Sequence, residues 1–263
     1  MTDLTPLLER AEGVVADAAA KLVAMQTAPL RMERKDLLDI VTEADLAAEE
    51  IVVSGLRRLT PGAAFLAEER GAVVGAEGER WIIDPLDGTI NYARGLPWFS
   101  VTAAYEFDGR VQLGLVHAPR AGVIARYARG QLATIDGKPA RVTETRSLAD
   151  AVISVCLTSH FSRDEVRRTI ALIERLATTA RGVRIVVSGA LEMSLVASGR
   201  LDGFVSIKAD VVSHAAGTEL VRAGGGRVTT LAGTDSKLDD LEKLASNGFI
   251  HDELLTQLGT VTG

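Results

Sequence analysis

The chain has 263 residues, of which 47% are apolar and 24% charged, and its formal net charge is −6. That balance describes a globular protein able to bury a sizeable core, and it excludes a disordered or low-complexity chain. There is no basic excess and no long run of like charge, so neither nucleic acid nor a membrane is expected as a partner.

Leu4, Leu7, Leu8, Ala11, Val14, Val15, Ala18 and Leu22 recur at helical spacing, and Leu46, Ala47, Glu50, Ile51 and Leu56 continue the period in a second segment. Two amphipathic helices are predicted. The first carries acids among its apolar residues, which reads as neither a signal peptide nor a membrane span. From Ala63 the period shortens: AAFLAEE, RWIID, FSVTAAYEF and VQLGLVHA are strand-like, with Asp108-Gly109 as a hairpin signal between the last two. After DGKPARV the order resets to strand VISVCLT, helix RDEVRRTIALIERLATTA, strand RIVVS, helix ALEMSLVASG, strand GFVSI, helix AAGTELVRA and strand GGGRVTT. This predicts an α/β chain of two packed lobes, 1–146 with the main motifs and 147–263 completing the site. The single cysteine, Cys156 in AVISVCLTS, reads as a buried small hydrophobe. With no disulfide possible within the chain, a reducing, cytoplasmic setting is expected.

In WIIDPLDGTINYARGLPW, Trp81 to Trp98, Asp84 follows an apolar run at a strand end. Pro85 forbids further strand pairing and Gly88 permits a tight turn, which brings Asp84 and Asp87 to one side. Two carboxylates held together repel at neutral pH, and a hard cation such as Mg²⁺ keeps such a pair ionised. The amides of Gly88 and Thr89 open a short helix, GTINYA, and free N–H groups at a helix start form a phosphate site. Metal and phosphate would then be neighbours. Glu68-Glu69 in AAFLAEERG again follow an apolar run, so one of the two can reach the strand ends. Asp45 in DIVTEADLAAEE lies near the start of an acid-rich helix, where a solvated first-turn acid favouring the helix dipole is the competing reading. Spacing alone does not choose between the two.

WIIDPLDGTINYARGLP, with LAEER, DIVTEAD and AAGTELVRAGGGRV, resembles the inositol monophosphatase family of Mg²⁺-dependent, lithium-sensitive phosphomonoesterases. The resemblance extends over almost the whole chain, to SNGF near the C-terminus. It implies an αβαβα sandwich of the inositol monophosphatase and fructose-1,6-bisphosphatase type, a homodimer and a small phosphorylated substrate. By position, it implies that Glu68, Asp84, the backbone carbonyl of Leu86 and Asp87 hold metal. Thr89, hydrogen-bonded to Asp45, would orient and activate the attacking water, and the Gly88 and Thr89 amides would take the phosphate. Ser188, Gly189 and Ala190 in VSGALEM match a strand-to-helix turn whose backbone contacts substrate hydroxyls. The implied chemistry is in-line attack by water on a charge-neutralised phosphate, with no covalent enzyme intermediate.

The chain departs from the family at its second signature: tryptophan, aspartate, any residue, Ala-Ala-Gly. Aligning Ala215-Ala216-Gly217 and Gly225-Gly226 puts Val212 in the tryptophan's position and Ser213 in that of the metal-binding aspartate. Ser206 stands where inositol-type enzymes carry a glutamate for substrate hydroxyls. A neutral hydroxyl is a poor Mg²⁺ ligand, so the second metal site is expected to weaken. Ser213 as a helix N-cap would preserve the fold. Asp210 and His214 are the nearby rescuers. Asp210 would need a register shift, His214 suits softer metals, and the plainer reading makes both surface residues.

Three functions fit these residues. One is a phosphatase for inositol phosphate or a related sugar or polyol phosphate, with a weakened second metal site. Another is a non-catalytic relative that binds a phosphorylated ligand, and the third is a phosphatase for a sugar bisphosphate or nucleotide bisphosphate. Other chemistries lack their pattern. His117, His160 and His251 have no partners at ligand spacing, and Ser188-Gly189 lacks the flanking glycines of a nucleophile elbow. Gly224-Gly225-Gly226 precedes a strand instead of opening a helix, so it reads as a helix-ending turn.

Overall fold

The first apolar stripe folds as helix α1 (Thr5–Met25), which buries Leu8, Ala11, Val15, Ala18, Ala19 and Leu22 along one face. A computed structural model describes residues 3–27, 31–34, 40–73 and 75–259. The short strands β1 (Met32–Arg34) and β2 (Ile40–Thr42) pair with each other, and α2 (Glu43–Leu59) follows. Next come β3 (Ala63–Ala67), β4 (Gly71–Val73), β5 (Ala76–Asp87), the short α3 (Thr89–Ala93), β6 (Ser100–Phe107) and β7 (Arg110–Ala118). The hairpin predicted at Asp108-Gly109 joins β6 to β7, with φ of 49° and 72° at its two turn residues. Strands β8 (Val123–Ala128), β9 (Thr134–Ile135) and β10 (Lys138–Pro139) then extend the sheet.

The second half supplies β11 (Val152–Val155), α4 (Arg163–Thr179), β12 (Gly182–Arg184), α5 (Gly189–Ala197), β13 (Gly203–Ser206) and α6 (Val211–Ala223). It closes with β14 (Arg227–Thr229), β15 (Lys243–Ser246) and α7 (His251–Gly259). Helix α6 ends at Gly224, and Gly225 takes φ +87°, the helix-ending turn expected of the glycine run.

The strands form an eight-stranded sheet, ordered β10-β9-β8-β7-β6-β5-β3-β4, and a five-stranded sheet, ordered β12-β11-β13-β15-β14. Side-chain alternation along the strands sorts the core into layers. Trp81 and Ile83 of β5 bury with Leu22 of α1 and Val52 of α2, while Ile82 turns the other way, toward Leu191 of α5 and Ala216 of α6. Phe204 of β13 joins that same central cluster, and Val205 faces outward to Leu172 of α4 and Leu254 of α7. The result is an αβαβα sandwich: α1 and α2, the large sheet, α5 and α6, the small sheet, α4 and α7. The two sheets fall on either side of residue 147, yet the central cluster runs unbroken from Val116 on the first to Val228 on the second. Among the described residues no helix is long and apolar enough to cross a membrane.

Three local expectations are corrected. Strand β5 does not stop at Asp84 but continues through a bulge to Asp87. The run RIVVS is not a strand: only Gly182–Arg184 pairs, in parallel with β11, and Val187 has φ 60°, which takes the chain out of the sheet. Helix α6 starts at Val211, ahead of the predicted Ala215, because Asp210 caps it. Strands β9 and β10, each two residues long, are too short to leave a signal in the sequence.

Candidate active site

Two residues three apart on a regular strand point to opposite faces of the sheet. Asp84 and Asp87 do not, because the bulge intervenes: Asp84 pairs with Thr102 and Asp87 with Ser100, so three steps on β5 match two on β6. Pro85 lies inside that bulge, where its missing N–H leaves no ladder position unpaired. Asp84 therefore shares the face of Ile82, toward α5 and α6, and the bulge returns Asp87 to the same side. Both are buried. The Leu86 amide donates to Asp84 Oδ1 at 3.0 Å and Ser213 Oγ donates to Asp84 Oδ2 at 2.8 Å. Gly88 follows with φ +91°, and a Cβ there would come within 2.7 Å of the Trp98 carbonyl, so the turn into α3 requires glycine.

Asp45 reaches this turn from the start of α2. It is fully buried, which overturns the reading of a solvated first-turn acid. Thr42 is the N-cap and Asp45 the third helical residue, and they form a capping box: Asp45 Oδ2 accepts from the Thr42 amide at 2.8 Å and from Thr42 Oγ1 at 2.5 Å. Asp45 Oδ1 accepts from Thr89 Oγ1 at 3.0 Å, and the Leu86 carbonyl lies equally close to that hydroxyl. The cap thus fixes one carboxylate oxygen and leaves the other to Thr89.

Asp87 is held by the start of α5. Ser188 Oγ and the Ala190 amide donate to Asp87 Oδ2 at 2.7 and 2.9 Å, the Gly189 amide donates to Oδ1 at 3.1 Å, and Ser100 Oγ adds a bond of 3.1 Å. Ser188, Gly189 and Ala190 are therefore brought to the site, with these donors turned to Asp87. Sequence reasoning missed Glu192, fully buried on α5, which accepts from the Ser188 amide at 3.0 Å and from Ser154 Oγ. An acid inside the apolar run ALEMSLVAS was its only signal. Burial pushes its carboxyl up to about 7, against the hydrogen bonds that oppose the shift.

Ser213 is not an N-cap. Asp210 is, accepting from the Ser213 amide at 2.7 Å, and Ser213 instead turns its hydroxyl to Asp84. His214 is not a surface residue either. It is buried, with Nδ1 at 2.9 Å from the Asp210 carbonyl, and its Nε2 has no hydrogen-bond partner among the described residues. A Cβ at Gly189 would lie 2.6 Å from that Nε2, so the ring requires the glycine beside it. Asp210 is exposed, as expected. Ser206 is fully buried beside the Cys156 thiol, and burial raises that thiol's pKa far above its ordinary value, which fits a packing role.

Burial pushes the Asp84 carboxyl well above its ordinary range, and Glu68, Asp87 and Asp210 add to the shift by repulsion. Burial also raises Asp87, while the Ser188 bond and nearby His214 pull it back. Glu68, exposed just past β3, comes close enough to share a hydrogen bond with Asp84. Among the described residues no three acidic, histidine or cysteine side chains converge into a ligating group of their own. What the site offers is hard oxygen: Asp84, Asp87, the Leu86 carbonyl and neighbouring Glu68. One or two carboxylates with the remaining positions left to water and phosphate is how Mg²⁺ is commonly bound, so the donor chemistry fits a hard divalent cation.

An αβαβα sandwich with buried strand-end carboxylates beside a helix start defines a layered α/β fold with an acidic centre. Residues 3–262 match the model of the inositol monophosphatase family, and the chain belongs to that family. It is 38% identical over 224 residues to a fructose-1,6-bisphosphatase/inositol-1-monophosphatase of Thermotoga maritima, covering 85% of this chain and 84% of the relative. It is 34% identical over 233 residues to the Nus factor SuhB of Pasteurella multocida, covering 87% and 86%. Among solved structures, the inositol monophosphatase of Thermotoga maritima superposes with a TM-score of 0.90 at 34% identity, covering 98% of each chain.

Proposed function

We propose that the protein is a Mg²⁺-dependent phosphomonoesterase acting on inositol phosphate or a related small sugar or polyol phosphate. The observation that carries this reading is the bulge that brings Asp84 and Asp87 to one face beside the Thr89–Asp45 pair. A fold gains nothing from crowding buried carboxylates, and such groups gather where chemistry needs them. Asp84, Asp87, Glu68 and the Leu86 carbonyl would hold the metal. When bound, the ion would neutralise phosphate charge and lower the pKa of the attacking water. The amides of Gly88 and Thr89 would take phosphate oxygens at the start of α3. Thr89 Oγ1 donates its hydrogen bond to Asp45 Oδ1, which leaves a lone pair on Oγ1 to accept a hydrogen bond from the attacking water and orient it toward phosphorus. The proton that water loses would pass through this pair to solvent. The leaving alkoxide would take its proton from solvent, with no covalent enzyme intermediate. We read the protein as a cytoplasmic homodimer, a state that size-exclusion chromatography with light scattering tests.

Ser213 favours a second reading. A hydroxyl bonded to Asp84 supplies no charge to a metal, and a chain so altered could bind a phosphorylated ligand without turnover. Relatives named as Nus factors leave room for a role other than catalysis. The double name of the Thermotoga maritima relative also keeps a sugar bisphosphate among the substrates to test. Phosphate release from inositol, sugar, bisphosphate and nucleotide bisphosphate substrates, with and without Mg²⁺, separates these readings. Turnover of a monoester supports the first, and calorimetric binding without release supports the second.

A further inference from the structure

A cleft of about 810 Å³ opens at the far ends of β5 and α6 from the catalytic carboxylates. Arg80 on β5, Arg110 on β7, Arg129 just past β8, Arg222 on α6 and Lys237 before β15 line it, with Tyr127 on its wall. The acids that share the lining already have partners. Glu219 and Asp235 pair with Arg222 at 2.7 and 3.2 Å, and Asp239 pairs with Arg80 at 3.7 Å. Among the described residues, the side chains of Arg110, Arg129 and Lys237 have no carboxylate partner. Glu106, nearly buried behind the wall, also pairs with Arg80 at 2.5 Å, so Arg80 and Arg222 are neutralised and the positive excess of this concavity rests on Arg110, Arg129 and Lys237, on a chain whose net charge is −6. Walls of low dielectric focus such a field on whatever enters.

The wall is anchored from beneath. Lys243 is buried and donates from Nζ to Ser236 Oγ at 2.7 Å and to the Lys237 carbonyl at 2.8 Å, while Arg222 donates to the Ser236 carbonyl. These bonds hold Lys237 at the rim. The volume lies in the range of small-molecule sites. Guanidinium forks match phosphate oxygens in pairs, and three uncompensated cations call for more than one anionic group. The catalytic end is separate: Arg80 precedes Asp84 by four residues, about 13 Å along a strand. Arg222 lies nine residues beyond Ser213, also about 13 Å along a helix.

We propose that this cleft binds a small phosphorylated polyanion, carrying at least two anionic groups, at a site distinct from the catalytic one. Calorimetric titration of the full chain with pyrophosphate, ATP, inorganic phosphate and citrate tests it. The protein is first stripped of metal with a chelator that is then removed by gel filtration, so that bare Asp84 and Asp87 disfavour the same probes at the catalytic end. Pyrophosphate or ATP is expected to bind at least tenfold more tightly than inorganic phosphate, and the order of the two separates a bare diphosphate from a nucleotide as its source. The combined Arg110→Ala, Arg129→Ala and Lys237→Ala protein, with an unchanged melting temperature, is expected to lose at least tenfold in affinity. Unaltered affinity in that variant, or no binding by the parent chain, overturns the site. Citrate binding as tightly as pyrophosphate overturns its assignment to phosphate. Should the triple variant melt early, Lys237→Glu alone carries the same expectation, because Lys237 projects from an exposed loop.

Discussion

Asp84 and Asp87 stand on one strand and one face, and their surroundings are opposites. Asp87 is met by the hydroxyls of Ser100 and Ser188 and by the amides of Gly189 and Ala190. Asp84 is met by the Leu86 amide and the Ser213 hydroxyl, with Glu68, Asp87 and Asp210 acting on it as like charges. Burial raises both, but donors oppose the shift at Asp87 and neighbouring charge reinforces it at Asp84. One carboxylate ties the strand end to α5. Among the described residues no cationic side chain pairs with the other.

That contrast predicts different failures. Asp84→Asn should lower Mg²⁺-dependent phosphate release by about a hundredfold or more, because it removes charge where a cation would bind. The metal-free melting temperature should hold or rise, since a buried repulsion is relieved. Asp87→Ala should instead lower stability by about 3 kcal/mol or more by orphaning its buried donors, read by urea denaturation. If the two variants melt alike, the contrast between them is wrong. Ser213→Asp should next raise Mg²⁺ affinity by about tenfold and lower metal-free stability, both by adding a carboxylate beside Asp84. Equal affinity in a calorimetric titration would remove Ser213 from the metal's surroundings.

Smaller effects sharpen the picture around Asp87. Glu192 rises from 4.5 to about 7, so the folded state keeps a proton that the unfolded state has released. Its contribution to stability is therefore full below pH 4.5 and is lost as pH rises through about 7. Burial drives the shift, hydrogen bonds from Ser154, Ser188 and Val186 oppose it, and repulsion from Asp87 adds to it. The raised carboxyls of Asp84 and Asp87 give metal-free stability a pH dependence of the same sign. Metal-free melting temperature should fall between pH 5 and 8, and Glu192→Gln should flatten that slope. Val187 holds φ 60°, a region β-branched residues avoid, at the turn that delivers Ser188 to Asp87. Val187→Gly should stabilise by about 1 kcal/mol, and a loss of stability would mean its side chain is needed there.

Much of this was legible because it is periodic or local. The stripe of α1, the strand WIID, the Asp108-Gly109 hairpin and the glycine turn after α6 follow from spacing and backbone preference. The bulge was legible only in part: Pro85 marked a break, but the pairing of Asp87 with Ser100 depends on β6. By sequence Ser213 fits a cap, yet Asp210, three residues earlier, caps just as well and takes the position. His214 reads as exposed in the sequence because the groups that cover its ring, Gly189 and Phe204, are distant in the chain. Ile185-Val186-Val187 looked like a strand by composition, and tertiary context overrode it. Glu192 and the basic cleft gather residues from separate elements, and no local pattern announces them.

The most direct test of the central claim is phosphate release from an inositol monophosphate, with and without Mg²⁺, by the parent chain and by Asp84→Asn. A metal-dependent rate in the parent that falls by about a hundredfold in the variant is the expected result. Full activity in Asp84→Asn, or a parent rate indifferent to Mg²⁺, would contradict the assignment of Asp84 as the carboxylate that holds the metal.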